Sequence, residues 1–112
     1  MINITIYQNE QDEYIGFRMK GHAGYAEHGQ DIVCAAVSVL VINTINSMES
    51  FTEDRFDHAI HKEKDVVSFE LTSTPISDYA ELLLRSLVLG LSGICREYGR
   101  KYLNIQIKRK KD

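Results

Sequence analysis

An α/β two-layer (α+β) fold is what the sequence predicts, with two helices packed on one face of a mixed five-stranded sheet in the order ββαββαβ. Three observations predict it. Ile2, Ile4 and Ile6 alternate with Asn3 and Thr5, the two-residue period of a half-buried strand. Two long stretches, 32–51 and 75–98, carry apolar residues at helical spacing instead. A chain of 112 residues is enough for one core between two layers and too short for two independent cores. Residues 1–112 therefore read as a single domain.

Each element has its own signal. Asn9 to Glu13 is a polar turn, and Ile15, Phe17 and Met19 resume the alternation beyond it, so the first two strands form a hairpin. Gly21 to Gln30 breaks the pattern with Gly21, Gly24 and Gly29 and reads as a flexible loop. Asp31 then stands where an N-cap is needed, its carboxylate able to accept from an unpaired first-turn amide. The helix it opens runs to about Phe51 and is apolar on most sides, with Ile32, Val33, Ala36, Val37, Leu40, Val41 and Ile45. Such a helix is buried on more than one side, against another helix or a partner subunit. Phe56 to His61 and Val66 to Leu71 flank the charged turn Lys62-Glu63-Lys64-Asp65 and read as a second hairpin. Thr74-Pro75 opens the second helix, since proline is tolerated in a first turn. Leu83, Leu84, Leu87, Leu91 and Ile94 carry it to about Tyr98, and Gly99 stops it. Leu103, Ile105 and Ile107 make the last strand. Gly90 and Gly93 weaken the second helix and point to close backbone packing there.

Composition narrows the function classes. With 44% apolar and 26% charged residues and a single proline, the chain is neither disordered nor repetitive. A net charge of -3 exerts no global pull on nucleic acid. The run Lys108-Arg109-Lys110-Lys111 is a local exception, read as a solvated tail or as an anchor to RNA or an acidic partner. Two cysteines, Cys34 and Cys95, are too few for a disulfide framework, and no signal peptide precedes the first strand. The longest apolar run, Ile32 to Ile42, is far short of the roughly 20 residues of a membrane span. The cytoplasm, where thiols stay reduced, is the compartment these features imply.

A reduced thiol is available for chemistry. Capping by Asp31 would put Cys34 at the third helical position, where the helix dipole and unpaired amides favour a negative charge and can depress a thiol pKa. The plainer reading makes Cys34 a small buried hydrophobe. Ionised Asp31 opposes the depression, so a cationic neighbour is needed. His22, just past the second strand, can be that neighbour: it can take the thiol proton and later return it to a leaving amine. Ser38 lies one turn on from Cys34, either near the site or bonded back to its own helix. Asp31 caps the helix and can also orient His22. First-turn amides, that of Cys34 included, can meet an oxyanion. A Cys-His-His metal site with His28 matches no common ligand spacing. His58 and His61 point to opposite faces of a strand, and Cys95 sits in the apolar pattern of the second helix. The sequence therefore implies neither a metal nor a cofactor.

The string Gly21-His22-Ala23-Gly24-Tyr25-Ala26-Glu27-His28-Gly29-Gln30-Asp31-Ile32-Val33-Cys34-Ala35-Ala36-Val37-Ser38 resembles the signature of the ribosomal-processing cysteine protease family Prp. That signature is a Gly-His motif, a glycine-containing loop, Asp-Ile-Val-Cys-Ala and a nearby serine, and the order of strands and helices is similar too. The resemblance implies a cysteine endopeptidase with Cys34 as nucleophile and His22 as base. It implies removal of the N-terminal extension of the bacterial large-subunit ribosomal protein L27, with cleavage after an aromatic pair. It also implies a homodimer and a mobile loop that orders over bound peptide, around Gly21, Gly24 and Gly29. Two rivals remain: another thiol hydrolase sharing the same pair, and a non-catalytic ribosome-associated module using its basic tail.

Overall fold

The computed structural model describes residues 1–27 and 31–110. Strands β1 (Ile2–Gln8), β2 (Tyr14–Lys20), β3 (Phe56–His61), β4 (Val66–Leu71) and β5 (Leu103–Arg109) form one sheet in the order β3-β4-β2-β1-β5. Only the β1–β5 pairing is parallel. Helices α1 (Ile32–Phe51) and α2 (Asp78–Tyr98) complete the predicted order ββαββαβ.

The alternation that predicted the strands also builds the core. Residues paired across a ladder share a face. Phe17 stands between Ile6 and Phe69, and Met19 between Ile4 and Val67. The Phe17 and Phe69 rings stack with centroids 5.4 Å apart. This apolar face meets Val33, Val37, Val41, Ile45 and Met48 of α1 and Ala80, Leu84, Leu87 and Leu91 of α2, all buried. At the β3 edge the cover thins: Ile60, in the same row as Val67, is 46% exposed.

Three expectations need correction. The second helix starts at Asp78, capped by Ser77, whose hydroxyl accepts from the Ala80 amide. Thr74-Pro75 precedes it as a cis-linked turn, so the proline signal marked the approach to the helix rather than its first turn. Gly90 does mark close packing, since a Cβ there would lie 2.8 Å from Leu40 Cδ1 of α1, but Gly93 faces open space, its nearest such neighbour being Arg96 Nη2 at 3.9 Å. The basic run is not a loose tail over its described part. Lys108 and Arg109 belong to β5, Arg109 pairs with Asp12, and Lys110 Nζ lies 2.6 Å from Glu70. Lys111 lies outside the described residues.

Helix α1 is buried along one side only. Ile32, Val39, Ile42 and Phe51 are exposed, and Tyr79, Leu82 and Leu89 of α2 add to the exposed apolar surface. By length and composition α1 would suffice to cross a membrane, which the count of unbroken apolar residues did not register. Six of its residues are buried within the fold.

Candidate active site

The end of β2 and the start of α1 are brought together by three backbone devices. Gly21 adopts φ +101°, open to glycine at little cost, and a Cβ there would lie 2.6 Å from the Met1 carbonyl oxygen. Its amide donates to the carbonyl of Asp65 (3.0 Å), stitching the end of β2 to the β3–β4 hairpin. The buried Ala23 then directs its amide at Cys34 Sγ, 3.2 Å away.

Asp31 is the N-cap, as the sequence predicts, and it does more than cap. One carboxylate oxygen accepts from the amides of Val33 and Cys34, both at 3.0 Å, and the other from Tyr25, also at 3.0 Å. Burial alone would raise its pKa. The amides of Cys34, Tyr25 and Ala26 outweigh burial and hold the carboxyl below its ordinary value of 3.8. The same carboxylate thus starts the helix and clamps the loop. The Tyr25 ring adds an edge-on contact to Tyr98 and another to Tyr102, with centroids 5.5 Å and 5.1 Å apart.

Cys34 occupies the third helical position, half-buried, with a free thiol. Of the two opposing influences on its pKa, the one that raises it prevails. Burial pushes the thiol above its ordinary value of 9.0, the Ala23 amide partly offsets this, and the Asp31 charge adds to the rise. The first-turn amides expected to meet an oxyanion are also engaged. Those of Val33 and Cys34 bond the Asp31 carboxylate, and that of Ala35 bonds the Asp31 carbonyl. An aspartate cap satisfies the donors that would otherwise favour a thiolate.

A cleft of about 860 Å³ gathers the candidates: Gly21, His22, Gly24, Asp31, Cys34 and Ser38 all line it. Its apolar wall is the thinly covered part of the sheet face, with Met19, Val67 and Ile60. Ser38 is exposed on the α1 side of the cleft; the α1 hydroxyl that bonds back to its own helix is that of Thr44, 2.7 Å from the Leu40 carbonyl. His61 lines the cleft and His58 does not. Cys95 packs against the core, its thiol donating to the Leu103 carbonyl (3.3 Å). Gly29 and His28 lie outside the described residues, and with them the full glycine loop and the Cys-His-His alternative.

The residue that sequence reasoning missed is Asp65. Its Oδ2 lies 2.7 Å from His22 Nε2, whereas both carboxylate oxygens of Asp31 are occupied by backbone amides. Asp65 sits at the end of a charged surface turn, and only the pairing of β4 with β2 brings it to His22.

Comparison with known proteins gives the chain its family. The sequence model of the family described as Cysteine protease Prp matches residues 1–103. The ribosomal processing cysteine protease Prp of Staphylococcus aureus is 31% identical over 99 residues, covering 88% of this chain and 92% of that one. The protein of the same name from Bacillus subtilis is 32% identical over 103 residues, covering 88% and 90%. The crystal structure of the S. aureus ribosomal processing protease Prp with a covalently linked product peptide superimposes with a TM-score of 0.90 at 28% identity, covering 96% of this chain and all of that one. The same S. aureus protease with a substrate peptide gives 0.85 at 27% identity, with coverage of 96% and 100%. A family match over nearly the whole chain sets aside the non-catalytic accessory module. The chain belongs to the cysteine protease Prp family and is a cysteine-type peptidase.

Proposed function

We propose that this peptidase removes the N-terminal extension of bacterial large-subunit ribosomal protein L27 by cutting after an aromatic pair, with Cys34 as nucleophile and His22 as base. The observation that carries the reading is the shared cleft. His22 at the end of a strand and Cys34 at the start of a helix line one groove whose wall is apolar. The S. aureus relatives, described with substrate and product peptides, support a peptide as the occupant. The apolar wall of Met19, Val67 and Ile60 suits large apolar side chains in that peptide.

The chemistry follows from a thiol held protonated. Because burial disfavours the resting thiolate, His22 takes the proton as sulfur attacks the scissile carbonyl carbon. The amide of Ala23, directed at the sulfur, steadies the partial negative charge there as the proton leaves. Once the S–C bond forms the charge rests on the carbonyl oxygen, and it returns to re-form the C=O bond as the amine departs. His22 returns the proton to the amine as the C–N bond breaks, leaving a thioester. Water, deprotonated by His22, hydrolyses the thioester and restores the thiol. No cofactor or metal enters these steps. Asp31 supports them by fixing the helix start, and Ser38 borders the same groove. The glycine loop, including Gly21 and Gly24, would order over bound peptide. The enzyme would work in the cytoplasm, as a homodimer joined through the exposed apolar side of α1.

Incubating the purified protein with L27 that retains its extension, followed by mass spectrometry, tests the reading. A single cut after the aromatic pair is expected. Cys34→Ala and His22→Ala should each slow it by about a thousandfold or more while remaining folded. A folded wild type that leaves L27 intact would refute the substrate, and cleavage by pure Cys34→Ala would refute the mechanism.

A further inference from the structure

The contact between His22 and Asp65 is too specific in its construction to be an incidental surface pair. Asp65 adopts φ 52° and ψ 44°, the left-handed region that glycine, asparagine and aspartate enter most readily. It is held there from both sides: its amide donates to the Lys62 carbonyl at 3.3 Å, and its carbonyl accepts from Gly21 at 3.0 Å. Gly21 immediately precedes His22. The backbone of Asp65 therefore fixes the residue before the histidine, and its carboxylate meets the imidazole itself at 2.7 Å. Both contacts come from one residue at the end of the β3–β4 turn, and both act on the strand end that bears the base.

We propose that Asp65 is the positioning residue for His22, acting through Nε2; this rests on the reading of His22 as the base. A neutral imidazole has one N–H and one lone pair. When Nε2–H donates to the Asp65 carboxylate, the lone pair belongs to Nδ1, and that nitrogen exchanges the proton with Cys34. The carboxylate also offsets the charge that His22 gains while it holds the thiol proton. The roles in the cleft are thus divided between two aspartates. Asp31 shapes the nucleophile's helix, and Asp65 sets the tautomer and orientation of the base.

The left-handed conformation separates backbone from side chain in a test. Asp65→Gly keeps that conformation at ease and removes only the carboxylate, while Asp65→Asn retains a hydrogen-bond acceptor and tolerates the same backbone. On an L27-derived peptide, Asp65→Gly should melt at or above the wild-type temperature. Its kcat should fall by about tenfold or more with KM unchanged, a modest loss because the pair is open to solvent. Asp65→Asn should recover little of that loss, because its neutral amide can donate to Nε2 and select the other tautomer. Nitrogen NMR of the His22 imidazole should show the Nε2–H tautomer in the neutral wild type and a mixture of tautomers in Asp65→Gly. Wild-type or raised kcat in Asp65→Gly, or a change confined to KM, would overturn the assignment while leaving the cysteine–histidine mechanism standing. A His22→Ala variant that still cleaves would instead overturn the mechanism and this assignment together.

Discussion

Asp31 bonds the amides of Val33 and Cys34 with one oxygen and Tyr25 with the other, and its charge raises the pKa of the neighbouring thiol. Burial and Asp31 act in the same direction on Cys34, so alkylation by iodoacetamide should be slow at neutral pH. It should climb as pH rises past the ordinary thiol value of 9.0. Asp31→Asn keeps a carbonyl for the cap and removes the charge, so it should react faster than wild type at pH 7, as followed by mass spectrometry. An unchanged rate would mean that burial alone sets the thiol. The contrast between the two aspartates shows what was legible at this scale. Asp31, Cys34 and His22 sit in one continuous string whose spacing is readable as strand end, loop and helix start. Asp65 belongs to Lys62-Glu63-Lys64-Asp65, which reads as a solvated turn. Its role depends on a ladder between strands far apart in the chain. The direction of the thiol pKa was not legible for a related reason: the helix dipole and the Asp31 charge oppose each other, and which prevails depends on burial and on the cap having bound the first-turn amides.

Elements were more legible than their contacts. Every strand and both α-helices were readable because alternation and helical spacing are each dictated by one buried face, whereas the short 3-10 helix Lys62–Lys64 has no such face and read as a turn. The start of α2 was misplaced because proline is compatible both with a first turn and with the turn before it. Gly90 and Gly93 had the same sequence signal and have different surroundings, which gives an element-scale prediction. Gly93→Ala should stabilise the protein by about 0.5–1 kcal/mol, since alanine favours helix and open space awaits its Cβ. Gly90→Ala should gain less or lose stability, because Leu40 of α1 must move to admit the methyl group. Paired denaturation curves in urea would check both, and equal effects at the two sites would mean that the α1–α2 contact yields freely.

At the scale of the molecule, apolar surface remains that the fold does not cover. Ile32, Val39 and Ile42 lie along the uncovered side of α1, and Val39 is 67% exposed. If that side joins two copies, Val39→Glu should shift the protein to monomer by sedimentation while its circular dichroism stays unchanged. A wild type that is monomeric at micromolar concentration would remove this reading. The sequence showed that α1 is apolar nearly all round but not which side the fold itself would cover, since that depends on where α2 lies. The sheet order has a consequence for how the enzyme comes into being. The interior strand β1 takes its second neighbour from β5, so a ribosome that has synthesised the chain only through α2 has produced every residue of the cleft without closing the sheet behind it. Parallel pairing between strands so distant in sequence is slow to form. The nucleophile and its base are therefore made early, well before the strand that completes the sheet behind them.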